Sequence, residues 1–460
     1  MDFLKRIFTI LFKSGKGNSE SKSLTGVVVK SSAISFVAKA LTLIAGLVTM
    51  PIVYNSLDKY QFGVYATLTS IISWVDLFDF GITQGLRNRL TEARADGDIN
   101  AARKYISTSY ILLFLIAITL FVIYCLFCRV INWQSILNAK ELDRELLDSM
   151  AFWVFSLFIV RFVASVITKV YYAFQKSYLV DVTILIGKIL YLIILLLLSS
   201  VGRITLFNVA ILQSSISAII PILASIYFFL IDEKPYRPSI RMVDFKVTGH
   251  IMGLGWQFFI ISISLLIIHS GNNFLISQFV DPASVPAYSL SYQLFSYILL
   301  IYTIIITPLW SAYTEAWKKN DIEWICQTMR MMKRIFLLFV VVCAIVVVFT
   351  PYIFKVWIGE KADVPIFMAG AVAVMILLDM WIRIFDFFIN GVGKIRVQMI
   401  VNIIMACLNI PLAFLFSVIC HMGAIGVVIA SIISFGVSAI VSPIQANMLL
   451  NGTAKGVWAK

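Results

Sequence analysis

Apolar residues in this chain fall in long unbroken runs, with polar residues gathered between them. The runs are continuous and show no strict alternation, so they read as helices and not as barrel strands. Each is about 20 residues long, enough to cross a hydrocarbon core. Twelve spans are expected, over 31–53, 61–86, 105–127, 149–171, 178–200, 205–230, 250–277, 285–310, 334–357, 364–388, 397–419 and 424–448. The second is the weakest, because it carries Asp76 and Asp79; the first begins at Lys30 and holds Lys39 within it. Most connections are short, and no soluble domain of useful size remains.

The pattern repeats. Shifted by 223 residues, the chain meets itself without gaps: Thr25-Gly26 falls on Thr248-Gly249, Asp58 on Asp281, and Tyr65 on Tyr288. Thr91-Glu92-Ala93 falls on Thr314-Glu315-Ala316, and Asp98-Ile99 on Asp321-Ile322. Apolar identities are common in such a sequence, so the polar matches at one offset carry the inference. Span 1 then corresponds to span 7, and a six-span shift preserves orientation. The expected fold is an all-α polytopic membrane protein, with two parallel-repeat six-helix lobes around a central cavity. The expected organisation is an N-terminal segment over 1–30, a first lobe over 31–231, a linker over 232–247, a second lobe over 248–449 and a tail over 450–460.

Composition sharpens the class. The chain is 60% hydrophobic and 13% charged, against about 45–50% and about 25% in soluble domains. With the N-terminus inside, 26 of the 37 basic residues fall in inner segments and seven in outer ones. Both termini are therefore expected to be cytoplasmic. The net charge of +13 is mostly this topology signal and does not point to nucleic acid. Residues Met1–Lys22 place Phe3, Leu4, Ile7, Phe8, Leu11 and Phe12 at helical spacing among lysines, without a cleavage site. They read as a helix on the inner membrane face or as a basic tail. The cysteines, Cys125 and Cys128 included, read as small apolar filler and not as metal ligands.

Charge inside the membrane is the second source of function. An ionisable residue at mid-helix costs about 2.5–3.5 kcal/mol on insertion scales, so it faces a cavity or a partner. Lys39, Arg161 and Lys188 fall near mid-membrane in the first lobe and form a candidate anion site in the cavity. Arginine can grip a phosphate bidentately, and lysine acts as a point charge. The alternative is that Asp76 or Asp79 neutralises Arg161 or Lys39 in a structural bridge. Asp76, Asp79, His269, Asp379, Arg383 and Asp386 are candidates for gating or coupling. Asp379 and Arg383 stand one turn apart and can satisfy each other; His269 titrates near neutrality. Glu92 and Glu315, in the matched loops, read first as parts of amphipathic cytoplasmic connectors, with an inner gate as the alternative.

One stretch carries a resemblance. It runs from Ser31 through Pro51, then Asp58-Lys59-Tyr60-Gln61-Phe62-Gly63-Val64-Tyr65 and Trp74-Val75-Asp76-Leu77-Phe78-Asp79-Phe80-Gly81-Ile82. Arg87-Asn88, Gly97-Asp98 and Ala102-Arg103 follow. These features resemble the polysaccharide exporters of the O-antigen flippase family. That family lies in the superfamily that also holds multidrug-and-toxin (MATE) extruders and peptidoglycan-lipid flippases. The likeness covers the first quarter by motif and the rest by size, span count and repeat. It implies flipping of an undecaprenyl-pyrophosphate-linked oligosaccharide between leaflets of a bacterial inner membrane. Alternating access, a cationic cavity and coupling to H+ or Na+ are also implied, with no bound cofactor; other polysaccharide-assembly proteins are candidate partners. Peptidoglycan-lipid flippases carry two additional spans, which are absent from this pattern.

The residues converge on the same class. A lipid-linked pyrophosphate is an anion that midplane cations suit, and tyrosines can stack on sugars. Candidates are Tyr171, Tyr172, Tyr288, Tyr292, Tyr297 and Tyr302. A cation-coupled multidrug antiporter of the same fold should favour acids at the cavity centre. A membrane glycosyltransferase needs catalytic residues beside a sizeable outer loop, whereas Glu141, Asp143, Glu145 and Asp148 read as a solvated face. Gly391-Val392-Gly393-Lys394 lacks phosphate-loop spacing.

Overall fold

A computed structural model describes residues 19–75, 81–249, 255–307, 309–359 and 364–459. The expected amphipathic segment Met1–Lys22 lies almost wholly outside the described residues. At the points matched by the 223-residue repeat, the same side chains do the same local work. Asp58 accepts from the Gln61 amide (2.7 Å) and Asp281 from the Ser284 amide (2.9 Å). Asp98 and Asp321 cap their helices in the same way, from Ala101 (2.8 Å) and Trp324 (3.0 Å). Each carboxylate satisfies an amide that the first helical turn leaves without a partner. The residues before the second pair, Gly97 (φ 71°) and Asn320 (φ 57°), are both left-handed, as the sharp entry into the helix requires.

The first lobe contains α1 (Ser19–Ser56), α2 (Lys59–Val75), α3 (Ile82–Ala95), α4 (Ile99–Phe127), the short α5 (Trp133–Ile136), α6 (Arg144–Ala164), α7 (Val166–Ala173), α8 (Ser177–Ser200) and α9 (Leu206–Tyr227). A π-turn, Phe228–Asp232, and three 3-10 turns between Lys234 and Val247 lead into the second lobe. That lobe contains α10 (Gly255–Phe279), α11 (Val285–Ile306), α12 (Leu309–Lys318), α13 (Ile322–Val348), α14 (Thr350–Trp357), α15 (Ile366–Val392), α16 (Arg396–Phe414) and α17 (Ala424–Leu450). Among the described residues, ten helices are long and apolar enough to cross a membrane. α2 and α15 pack among them.

Packing follows the repeat. α1 lies on α8 as α10 lies on α16, α6 on α9 as α15 on α17, and α4 on α6 as α13 on α15. The fold is thus two six-span lobes in parallel repeat, each with its own internal contacts.

The helices differ from the expected spans where local chemistry intervenes. Within the span expected over 61–86, α2 is described as far as Val75, and a left-handed Gly81 (φ 77°) precedes α3. The span over 149–171 breaks at Ser165, whose hydroxyl donates to the Phe162 carbonyl (2.8 Å) and competes with the ladder. The span over 334–357 divides after Val348, where Pro351 sits in the first turn of α14.

The lobes meet chiefly through α2, which packs on α10 and α11. A Cβ at Gly63 would lie 1.8 Å from the Pro282 carbonyl oxygen, so only glycine permits this approach. The Asn138 amide donates to the Ser277 carbonyl (2.7 Å), and the Ser277 hydroxyl donates back to Leu137 (2.8 Å). Asn55 reaches the Ile358 carbonyl (2.7 Å). These bonds cluster at the end of the bundle that carries Asp58 and Asp281, termed here the Asp58 end. The opposite end, which carries residues 232–247, is termed the linker end.

Candidate functional site

A cavity of about 190 Å³ lies between the lobes. α1, α2, α8 and α9 line it from the first lobe, and α10 and α11 from the second. Its wall is rich in uncharged hydrogen-bonding groups: Thr49, Tyr65, Thr69, Tyr191, Gln213, Asn273, Ser289 and Gln293. Among the described residues, Lys188 is the one charged side chain of this wall, and none of them is a carboxylate.

Helical geometry explains the face. On α1 the lining residues Gly46, Thr49, Met50 and Val53 recur at three- and four-residue spacing, which is one side of a helix. On α8, Lys188 and Tyr191 are three apart, and the lysine Nζ stands 5.7 Å from the Tyr191 ring centre. That aromatic face is an attractive seat for an ammonium. The Tyr65 hydroxyl donates to Gln213 Oε1, tying α2 to α9 within the wall.

The three midplane cations expected to share a site are separated. Lys188 reaches the cavity. Lys39 faces Asp181 at 3.7 Å, one heptad from Lys188 on α8 and therefore about 10 Å along the same face. Lys39 is likewise one heptad below Gly46 on α1. The Lys39–Asp181 pair thus continues the lining faces of α1 and α8 towards the linker end. Asp181, in the second turn of α8, lies deep enough to meet Lys39. Arg161 is placed on α6, over the Phe158 ring at 5.4 Å, and does not line the cavity. α6 packs on α4 and α9, which turns its faces towards the first lobe itself.

In the second lobe the charges satisfy one another. Arg383 Nε and Nη2 donate to the two oxygens of buried Asp379, at 2.9 and 3.0 Å. This is a bidentate fork, closed across one helical turn. Asp386, the next turn along α15, accepts from Ser442 (2.8 Å) and Gln398 (2.8 Å). Further along α15 towards the Asp58 end, beside Met375, Asn272 donates to the Tyr288 hydroxyl (3.1 Å) and accepts from Ser431 (3.0 Å), which also receives Asn409 (3.0 Å).

Other candidates are placed as follows. Glu92 pairs with Arg89 on its own helix at 2.7 Å, exposed at the linker end. Glu315 lies in α12 and His269 in α10; their side chains, with Asp76 and Asp79, lie outside what the structure describes. Two of the four tyrosines expected along span 8 are placed away from the cavity. Tyr288 and Tyr302 are fully buried, Tyr302 edge-on to Phe339, because they face α10, α13 and α15. Tyr65 and Tyr191 stand at the cavity instead. The signal for Tyr65 was its match to Tyr288 in the repeat; for Tyr191 it was the three-residue step from Lys188.

Comparison with known proteins adds four findings. The family of polysaccharide biosynthesis proteins matches residues 28–314. A protein of Salmonella typhimurium (strain LT2), described as a candidate O-antigen transporter, is 21% identical over 404 residues, covering 86% of this chain and 91% of its own length. An inward-facing multidrug resistance MATE family transporter of the MOP superfamily superposes with a TM-score of 0.73 at 14% identity, covering 92% of this chain and 98% of that one. A MOP superfamily transporter from Pyrococcus furiosus, whose binding pocket is described as reversed in polarity, gives 0.64 at 14% identity, covering 93% and 96%. The fold is therefore of the MATE type.

Proposed function

We propose, because this chain belongs to the polysaccharide biosynthesis protein family, that it flips a polysaccharide precursor across a membrane as a lipid-linked oligosaccharide. The substrate class in this reading is an undecaprenyl-pyrophosphate-linked repeat unit of an O-antigen or related polymer. One observation carries it: among the described residues, the inter-lobe cavity is lined by one ammonium, Lys188, beside amides and hydroxyls and no carboxylate. An anionic group with hydroxyl-bearing sugars matches that wall, since lysine favours the anion and neutral hydrogen-bonding groups favour the polyol. Tyr65 and Tyr191 supply aromatic faces beside the lysine. The lipid tail stays in the bilayer.

Lys39 with Asp181 marks the approach from the linker end. An arriving phosphate competes with Asp181 for Lys39 and then meets Lys188 about two helical turns further on. Arg161, away from this path, has a packing role. The distribution of Lys and Arg supports a cytoplasmic linker end and cytoplasmic termini, in a bacterial inner membrane. The lobes over 31–231 and 248–449 then rock about residues 232–247, so that the cavity faces one leaflet and then the other. The inter-lobe bonds at the Asp58 end support a state closed outward.

A second reading, a cation-coupled multidrug antiporter, draws on the MATE fold and on the Asp379–Arg383–Asp386 group. The described part of the cavity wall speaks against it, because there a cationic drug would meet Lys188 and no acid. The same group suits ion coupling of the flippase, with Asp386, held by neutral donors, as the exchangeable acid. The test is leaflet translocation of a fluorescent prenyl-pyrophosphate oligosaccharide in vesicles holding the purified protein. Protein-dependent flipping supports the proposal. Ion-driven efflux of cationic dyes without flipping replaces it with the antiporter.

A further inference from the structure

Four prolines interrupt described helices: Pro51 in α1, Pro221 in α9, Pro411 in α16 and Pro443 in α17. A proline has no N–H, so the carbonyl four residues earlier loses its helical donor. For Pro51 that carbonyl belongs to Leu47, and for Pro443 to Ala439. Both receive a replacement donor of the same kind. Trp357 Nε1 donates to the Leu47 carbonyl at 2.6 Å, and Trp381 Nε1 donates to the Ala439 carbonyl at 3.1 Å.

The two pairs differ in what they join. Trp381 and Ala439 both belong to the second lobe, where α15 packs on α17 throughout. Trp357 ends α14 of the second lobe, and Leu47 belongs to α1 of the first. The indole is held in place by Phe354 stacked at 5.7 Å and by Tyr297 edge-on at 6.5 Å. One residue along, the Ile358 carbonyl accepts from Asn55 of α1 (2.7 Å). The two bonds run alongside the cavity towards its Asp58 end: Gly46, Met50 and Val53 of the same stretch of α1 belong to its wall, and Asn55 lies three residues before Asp58. The repeat does not reproduce it: residue 274, which matches Pro51, is phenylalanine, and residue 134, which matches Trp357, is glutamine.

We propose that Pro51 and Trp357 form a latch between the lobes, which holds the cavity shut at the Asp58 end until the Trp357–Leu47 bond is given up. The proline is what gives the latch its strength. It leaves a backbone acceptor inside the membrane that α1 cannot satisfy, so parting the lobes strands a polar group where no water replaces the lost donor. Without Pro51, α1 closes on Leu47 itself and Trp357 has little to hold. The Trp381–Pro443 pair applies the same chemistry within one lobe, where it stiffens and does not gate.

The role of the latch in transport rests on the alternating-access reading; its existence is tested without transport. Hydrogen–deuterium exchange on the full-length protein in detergent, followed by mass spectrometry, reads peptides over 46–58 and 350–358. Trp357→Phe keeps the ring and removes the donor, and is expected to speed exchange in both peptides severalfold. Pro51→Ala, with Trp357 intact, is expected to speed exchange over 350–358. In the double variant the effect of Trp357→Phe falls to less than half of its value beside proline. Trp381→Phe leaves both peptides unchanged. Unaltered exchange in both single variants overturns the latch, as does an effect of Trp357→Phe that is equal with and without Pro51. Failed flipping in vesicles leaves this test standing.

Discussion

The two lobes share a fold and a repeat, yet they treat buried charge in opposite ways. In the second lobe Asp379, Arg383 and Asp386 lie within two turns of α15, and each has close donors or acceptors from its own lobe. In the first, Lys39, Arg161 and Lys188 sit on three different helices. Of these, Lys188 is presented to a cavity and Lys39 meets its partner only at 3.7 Å. Charge that is satisfied locally fixes a structure; charge left facing a space is available to a ligand. The repeat supplied one scaffold, and the two halves have specialised on it.

The largest effect is expected from removing Arg383. Arg383→Ala leaves Asp379 buried without its fork, and breaking such a pair costs about 3–5 kcal/mol. Thermal unfolding in detergent should show this loss, and Asp379→Asn in the same chain should recover part of it. Little change from Arg383→Ala would mean that the second-lobe charges are as loosely held as those of the first.

Lys176 sharpens the contrast outside the membrane. Burial pulls its ammonium down, but hydrogen bonds from it to Asp232 and Glu233 (both 2.8 Å) and their charges outweigh this and raise its pKa. A raised folded pKa gives stability that is fully present below the ordinary lysine value and fades as pH climbs through the folded one. Lys176→Met should therefore cost about 1–2 kcal/mol near neutral pH and much less at strongly alkaline pH, read from unfolding midpoints across pH.

Asp181→Asn tests how loosely Lys39 is held. The pair is partly exposed and too long for a hydrogen bond, so the loss of stability should stay below about 1 kcal/mol. A larger loss would make Lys39 a structural cation and remove it from the entry path. Glu92→Gln should matter least, about 0.3 kcal/mol, because its partner is an exposed neighbour on the same helix. A clear defect in transport from that substitution alone would restore Glu92 as a gate.

Much of the fold was legible in the sequence because its signals are local. Run length gave the spans, and Asp58, Asp98, Asp281 and Asp321 gave the repeat, since a helix cap is decided within four residues. The Asp379–Arg383 fork was legible for the same reason. Cavity facing was not, because helix rotation is set by packing between distant segments. Arg161 and Lys188 look alike in sequence, and only the seating of α6 against α4 and α9 separates them. Tyr288 and Tyr302 illustrate the same point: a tyrosine row along one helix says nothing about which members face a ligand. The Trp357–Leu47 bond joins residues 310 apart; Pro51 announces a free carbonyl, but not what fills it.

The central claim is that Lys188 holds the anionic part of a lipid-linked substrate. The most direct measurement is the rate of leaflet translocation of a fluorescent prenyl-pyrophosphate oligosaccharide in vesicles, for the natural protein, Lys188→Ala and Lys188→Arg. The account predicts at least about a tenfold loss with alanine, equivalent to about 1.4 kcal/mol, and substantial recovery with arginine, which keeps the charge. Equal rates for all three, with equal amounts of folded protein, would contradict it.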